Sequence, residues 1–215
     1  MTIELRRLIP LPLTETDHSE SEIWEAESLL FESGQRIFIY AASGKGKTSL
    51  LSIIYGLRKD YKGNVLIDGR ELSEFSLKEI SCLRKNKFSY IFQGLELFDE
   101  LTALENIQLK NRQTSLKTKE EIEEMAEILE IPEFLNRKAG ILSFGQKQRV
   151  AIIRALCQPF DFLLADEIYS HLDDNLKSKS SGLIEKEISE QGSALLFTSL
   201  RESDNYLSFT KKYRV

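Results

Sequence analysis

The stretch Ala41 to Thr48, AASGKGKT, lies between the apolar run RIFIY and a second apolar run that resumes at Leu50. Its residue types suit one task, the holding of a polyphosphate. Gly44 and Gly46 let the main chain come close to a ligand. Backbone N–H groups of a tight loop at a helix N-terminus point inward together, and the helix dipole adds partial positive charge there. Lys47 has the reach for β- and γ-phosphates, and the Thr48 hydroxyl is a natural Mg²⁺ ligand. Ser43, Lys45 and Ser49 complete the loop residues expected to touch such a ligand. Ala41 stands where the phosphate-loop pattern begins with glycine. Its methyl group matters only if that position needs a positive φ or if the methyl meets the ligand, so tolerance is expected.

A phosphate loop needs a second element to hold Mg²⁺ and aim a water, and a neighbouring strand that ends in acid supplies it. FDFLLADE is such a strand. Its apolar residues would bury it and deliver Asp166 to the metal shell and Glu167 beyond, where a carboxylate can act as general base. Two solvated acids would be the reading of this segment in isolation; beside a phosphate loop the balance reverses. Further on, Ser143 with Gln146 three residues later forms a capping box, so a helix should begin there with its free N–H groups outward. Cys82 and Cys157 fit no metal-ligand spacing and read as reduced, packed thiols.

The elements that must position these residues follow from periodicity and turn chemistry. Glu4 to Leu13 and Glu22 to Phe31 read as strands, and Gly34 turns the chain into the strand RIFIYA. A helix should follow from Lys47 with Leu50, Leu51, Ile53, Ile54 and Leu57 on its apolar face. NVLIDGREL reads as a hairpin turned by Asp68-Gly69. KFSYIFQ is a second core strand, followed by a long connection with a short helix at ALENI. TKEEIEEMAEILE is an amphipathic helix stopped by Pro132. FGQKQRVAIIRALCQ should be a helix leading into FDFLLADE, and SALLFTS closes the order as a last strand. Alternating strands and helices predict an α/β chain with a mainly parallel sheet.

Composition sets the bounds. The chain has 215 residues, 41% hydrophobic and 29% charged, with a net charge of -5, which suits one compact domain and gives no basic excess of the kind that marks nucleic-acid surfaces. No apolar run approaches the ~20 residues that cross a bilayer. The start MTIELRRLIPLPL lacks the uninterrupted apolar centre of a signal peptide, so a cytoplasmic place is expected.

The order of motifs resembles the ATP-binding subunits of ABC transporters over nearly the whole chain. LSFGQKQRVAIIRAL is similar to the signature of that family, and with FSYIFQGLELFDELTALENI and LLADEIYSHLD it is similar to the lipoprotein-releasing, macrolide-export and cell-division subgroup. The resemblance implies a P-loop NTPase core with a mainly parallel sheet, an N-terminal antiparallel β-subdomain and an inserted α-helical subdomain over roughly 94–145, all in one domain. It implies ATP and Mg²⁺ as cofactors. It also implies two subunits packed head to tail, with Ser143, Gly145 and Gln146 of one closing over the γ-phosphate held by the other. Gln93 would sense Mg²⁺ and water and face a membrane partner, and Asp173 would lie in an inter-subunit loop. Taken alone, these two read as a strand-terminating glutamine and a helix-capping aspartate. Trp24 or His18 would stack on adenine, unless Trp24 is simply buried.

Two residues depart from the pattern. Phe144 replaces a glycine of the signature, and Ser199 stands after SALLFTS's core where relatives place a histidine that contacts the γ-phosphate. Serine is shorter and cannot carry charge. A lost contact of that sort costs roughly 2–4 kcal/mol, about 10²–10³ in rate. The expectation is therefore a MgATP-binding and hydrolysing subunit that dimerises and powers a separate transmembrane permease in export or extraction. The alternative is a hydrolysis-impaired nucleotide-binding regulatory subunit. An ABC ATPase acting on DNA or ribosomes is disfavoured, since neither a coiled-coil insertion nor a tandem copy is present. The expected partners are the permease and a second ATP-binding subunit, identical or not, on the cytoplasmic face of the membrane, with no nucleic acid.

Overall fold

The first strand, β1 (Thr2–Pro10), alternates buried Ile3 and Leu5 with outward polar residues and pairs antiparallel with β2 (Leu29–Glu32) and β4 (Tyr61–Ile67). The structure is a computed structural model that describes residues 1–215. The expected hairpin is present: β4 pairs with β5 (Arg70–Glu71), and the connecting Asp68 and Gly69 both have positive φ, at 50° and 81°, as a two-residue turn between twisted strands requires. This sheet has the order β2-β1-β4-β5.

The second sheet is parallel throughout, in the order β6-β7-β8-β3-β9. Its strands are β3 (Arg36–Tyr40), β6 (Phe88–Ile91), β7 (Phe162–Asp166), β8 (Ala194–Ser199) and β9 (Lys211–Arg214). One buried cluster, on the side of α3 (Ala103–Thr114), α4 (Lys119–Ile128), α5 (Phe144–Leu156) and α6 (Asp174–Gln191), contains Ile107, Met125, Val150 and Leu163. The other, between the two sheets and around α1 (Lys47–Ile54), contains Ile3, Phe31, Ile39 and Leu164. Both faces of the parallel sheet are thus covered. That is why its strands read as nearly continuous apolar runs.

Several expected elements differ in extent. Glu22 to Phe31 is not one strand: only Leu29–Glu32 pairs. The Ser21 hydroxyl accepts the N–H groups of Ile23 and Trp24, at 3.2 and 2.9 Å, and Glu25 adopts φ 62°, so the segment before β2 is turned rather than extended. The helix expected at ALENI continues to Thr114. Helix α2 (Leu77–Asn86) escaped the sequence reading because none of its residues is buried, although Ser76 and Glu79 form a capping box at its start. β9 was unread; Asp173 is the helix cap that its residue type suggested, opening α6, which stops at Gly192, φ 61°.

Parallel strands place their C-terminal ends on one edge. The pairs Tyr40↔Ser199, Asp166↔Thr198 and Ile91↔Ala165 are in register. The residues that follow β3, β6 and β7 therefore emerge together, which is where α/β sheets place ligands.

Candidate functional site

The loop after β3 is shaped by two left-handed glycines, Gly44 (φ 80°) and Gly46 (φ 99°), the latter being the N-cap of α1. A Cβ at Gly46 would stand 2.7 Å from Leu13 Cδ1 and 2.8 Å from Trp24 Cζ2, so both space and dihedral demand glycine. Ala41 has no positive φ and its methyl belongs to the buried core, which accounts for its tolerance.

Trp24 is buried beneath the loop and donates its indole N–H to Lys45 O at 3.2 Å. It props the loop from below, and its burial fits the reading of a packed indole. His18 is also engaged, with Nδ1 2.8 Å from Thr16 O and Nε2 3.0 Å from Glu25 Oε2; the Glu25 hydrogen bond raises its pKa.

Four of the expected residues meet directly. Lys47, almost fully buried, donates to Ala41 O (2.7 Å) and Ala42 O (3.1 Å) and pairs with Glu167 Oε1 at 3.2 Å. Thr48 Oγ1 donates to Gln93 Oε1 at 3.4 Å, and Gln93 Nε2 donates to Glu167 Oε2 at 3.1 Å. Ser43, Gly44, Gly46, Lys47, Thr48 and Ser49 line one pocket that Gln93 and Glu167 also enter. Lys45 points away, its ammonium 3.5 Å from Asp17 O.

Asp166 is wholly buried. Its Oδ1 accepts from Thr198 Oγ1 at 2.6 Å, while Oδ2 has no protein partner. A buried carboxylate oxygen left without a donor calls for a cation or its water shell. Thr48, Gln93 and Glu167 bond to one another at the pocket, and Asp166 immediately precedes Glu167; a set of hydroxyl, amide and carboxylate oxygens suits Mg²⁺. Tyr90 adds a buried phenol beside Asp166, and burial foremost, then the charge of Asp166, raises its pKa.

Thr198 was missed by sequence reasoning. Its hydroxyl holds Asp166, and both its Oγ1 and its carbonyl accept the Glu167 N–H at 3.2 Å, fixing Glu167 in a left-handed conformation (φ 51°). Only its place in the strand next to the acids could have signalled it. Ser199 reaches the same edge, but its Oγ accepts from Arg201 N at 3.0 Å and its carbonyl from Ala41 N.

The second group of expected residues is apart from the first within one chain. Ser143 and Gln146 form the capping box at α5, with Gln146 Oε1 accepting from Ser143 N (2.8 Å) and Ser143 Oγ from Gln146 N (3.3 Å). Neither they nor Gly145 line the pocket at the phosphate loop. Phe144 is 43% exposed and packs on the His171 ring, centroids 4.2 Å apart. Asp173 caps α6, its Oδ1 accepting from Leu176 N at 2.8 Å. Cys82 and Cys157 are both free, but only Cys157 is packed as expected: Cys82 is exposed on α2, which buries none of its residues, whereas burial pushes the Cys157 thiol up to about 12, out of the reactive range. No helix is long and apolar enough to cross a membrane.

Comparison with known proteins agrees with this geometry. The LolD lipoprotein-releasing system ATP-binding protein of Aquifex aeolicus is 39% identical over 155 residues, 71% of this chain and 69% of that protein. The macrolide export ATP-binding/permease protein MacB of a Shewanella species (strain ANA-3) is 33% identical over 175 residues, 79% of this chain but only 26% of MacB. Among solved structures, the dimeric MJ0796 ABC transporter cassette superposes with a TM-score of 0.78 at 29% identity, covering 93% of this chain and 88% of that one. The same cassette was solved bound to ADP and Pi, with a TM-score of 0.76. The sequence profile described as ABC transporter matches residues 25–170, and on that match this chain belongs to the ABC transporter family as one of its ATP-binding cassettes.

Proposed function

We propose that the cassette binds MgATP on the loop Ser43 to Ser49, closes as a dimer over two nucleotides, and hydrolyses them to drive a separate membrane permease. The convergence of Lys47, Thr48, Gln93 and Glu167 on one pocket carries this reading. Lys47 would neutralise the β- and γ-phosphates, and the main-chain N–H groups at the start of α1 would wrap them. Thr48, Gln93 and Asp166 would hold Mg²⁺. When bound, that ion supplies charge neutralisation to the phosphate oxygens.

Glu167 takes the proton of a water as the water oxygen bonds to the γ-phosphorus and the bond to the ADP oxygen breaks. Gln93, already bonded to both Thr48 and Glu167, orients that water. Exposed Ser143, with half-buried Gly145 and Gln146 behind it at the start of α5, would close on the γ-phosphate of a second subunit. The solved dimers of a structurally similar cassette support that assembly. The lipoprotein-releasing and macrolide-export names of the relatives above support export or extraction; a glucose import ATP-binding protein of Saccharolobus solfataricus is 36% identical over 176 residues, so the direction rests with the permease.

A second reading, a nucleotide-gated regulatory subunit that scarcely hydrolyses, is favoured by Ser199, whose hydroxyl is engaged with Arg201 N–H. One experiment separates the two. Phosphate release is measured for the cassette alone and reconstituted with the permease that co-purifies from membranes, with Glu167→Gln as the blank. Turnover above the blank that rises with the permease supports the transporter ATPase. Tight MgATP binding with turnover at the blank in both settings supports the regulatory subunit, and no nucleotide binding sinks both.

A further inference from the structure

One wall of the phosphate-loop pocket belongs to a cation that the reading above does not use. Arg58 follows α1 and folds back along it: its N–H bonds Ser52 O at 3.3 Å, and its Nη1 donates to Ser49 Oγ at 2.5 Å, inside the first turn of the helix. It lines the same pocket as Ser43, Lys47 and Thr48. Asp60 clamps the guanidinium from one side, Nε to Oδ1 at 2.6 Å and Nη2 to Oδ2 at 2.7 Å. The remaining guanidinium N–H groups have no protein acceptor, and the side chain is 29% exposed.

This placement is electrostatically odd for a purely structural ion pair. The start of a helix carries partial positive charge, and a cation is at the unfavourable end of the dipole. Asp60 offsets part of that, and its hydrogen bond raises the Arg58 pKa. An anion lying across the first turn would offset the rest. Two bonded groups line the pocket: Lys47, Thr48, Gln93 and Glu167 in one, Arg58 and Ser49 in the other. The Arg58 group is the one without Glu167, and the acid beside it, Asp60, is already paired. Pro10, Pro12 and Leu13 form the adjoining lining, which offers no competing charge.

We propose that Arg58 is a nucleotide-binding residue whose guanidinium takes the phosphate nearest the nucleoside, beside Ser49, while Lys47 takes the phosphates at the other end. The inference rests on the reading that this loop binds a nucleotide. Because that phosphate is common to ATP and ADP, Arg58 raises the affinity for both alike, and Asp60 tempers it by holding part of the guanidinium's charge.

Calorimetric titration of the full chain with MgATP, MgADP and magnesium tripolyphosphate tests this. Arg58→Gln should weaken all three by roughly 5- to 20-fold, the range of a partly exposed charge-assisted contact. Arg58→Lys should recover part of the loss, since it keeps the charge but not the fork. Asp60→Asn should tighten all three about 2- to 5-fold, because the guanidinium then keeps its full charge for the ligand. A structural brace predicts the reverse for the last variant, as losing either partner would harm the loop equally. Thermal unfolding of each variant checks that it is folded.

If wild-type binds MgATP while Arg58→Gln binds equally well, or Asp60→Asn weakens along with it, the proposal is overturned. Weakening of ATP and ADP but not of tripolyphosphate moves the contact from the phosphate to the nucleoside and overturns it too. Failure of wild-type itself to bind MgATP overturns the underlying reading and this inference with it.

Discussion

Lys47 Nζ lies 3.2 Å from Glu167 Oε1, with the two side chains 3% and 11% exposed. The cation of the phosphate loop and the acid at the end of β7 therefore satisfy one another where little of either side chain meets water, and a charge left alone there would be costly. A polyphosphate that draws Lys47 toward itself frees the carboxylate at the same moment. Occupancy of the loop and availability of the base are thereby linked through one contact.

Replacement of Glu167 by Gln tests that link. It should lower phosphate release by about 10²-fold or more, the usual share of a general base, while MgATP binding holds or tightens because Lys47 loses an anionic competitor. Turnover within about tenfold of wild-type would remove Glu167 from the role of base.

The only tryptophan, Trp24, touches the loop through Lys45 O and the space at Gly46. Its fluorescence should change on saturation with MgATP. Trp24→Phe, which drops the hydrogen bond, should cost about 1 kcal/mol of stability; Trp24→Ala, which empties the space beneath the loop, should cost roughly 3–5 kcal/mol. Binding seen by calorimetry with no change in emission would count against the prop.

Thr198→Val keeps the shape of the side chain and deletes the donor to Asp166 Oδ1 at 2.6 Å. Leaving that buried carboxylate with neither oxygen bonded to protein should cost about 1–3 kcal/mol in urea unfolding and weaken the Mg²⁺ dependence of nucleotide binding. An unchanged unfolding midpoint would show that the hydroxyl carries little of the site.

Ser199→His places an imidazole at the end of β8, in register with Tyr40. Turnover should rise by about 10²-fold with little change in ATP affinity, since the contact is made mainly in the transition state. Equal turnover in both forms would mean that serine does not limit hydrolysis.

What the sequence by itself determined is what short-range chemistry dictates. The GKT tail of the loop, the acids after an apolar strand, the Asp68-Gly69 turn and the Ser143/Gln146 capping box each act over a few residues, and each is where the pattern put it. Dihedral limits and local hydrogen bonds need no knowledge of the rest of the chain.

Tertiary structure alone decided which distant residues share a pocket. Trp24 reaches a loop 21 positions away, Thr198 an acid 32 away and Gln93 one 74 away, because β8 and β6 flank β7 and no local rule sets that order. α2 stayed invisible because it buries none of its residues, so no apolar period marked it. The segment before β2 misled because its strand-like apolar residues answer to Ser21 caps and to packing under the phosphate loop rather than to a neighbouring strand. Arg58 and Phe144 likewise took their meaning from Ser49 and His171, partners that only the folded chain brings to them.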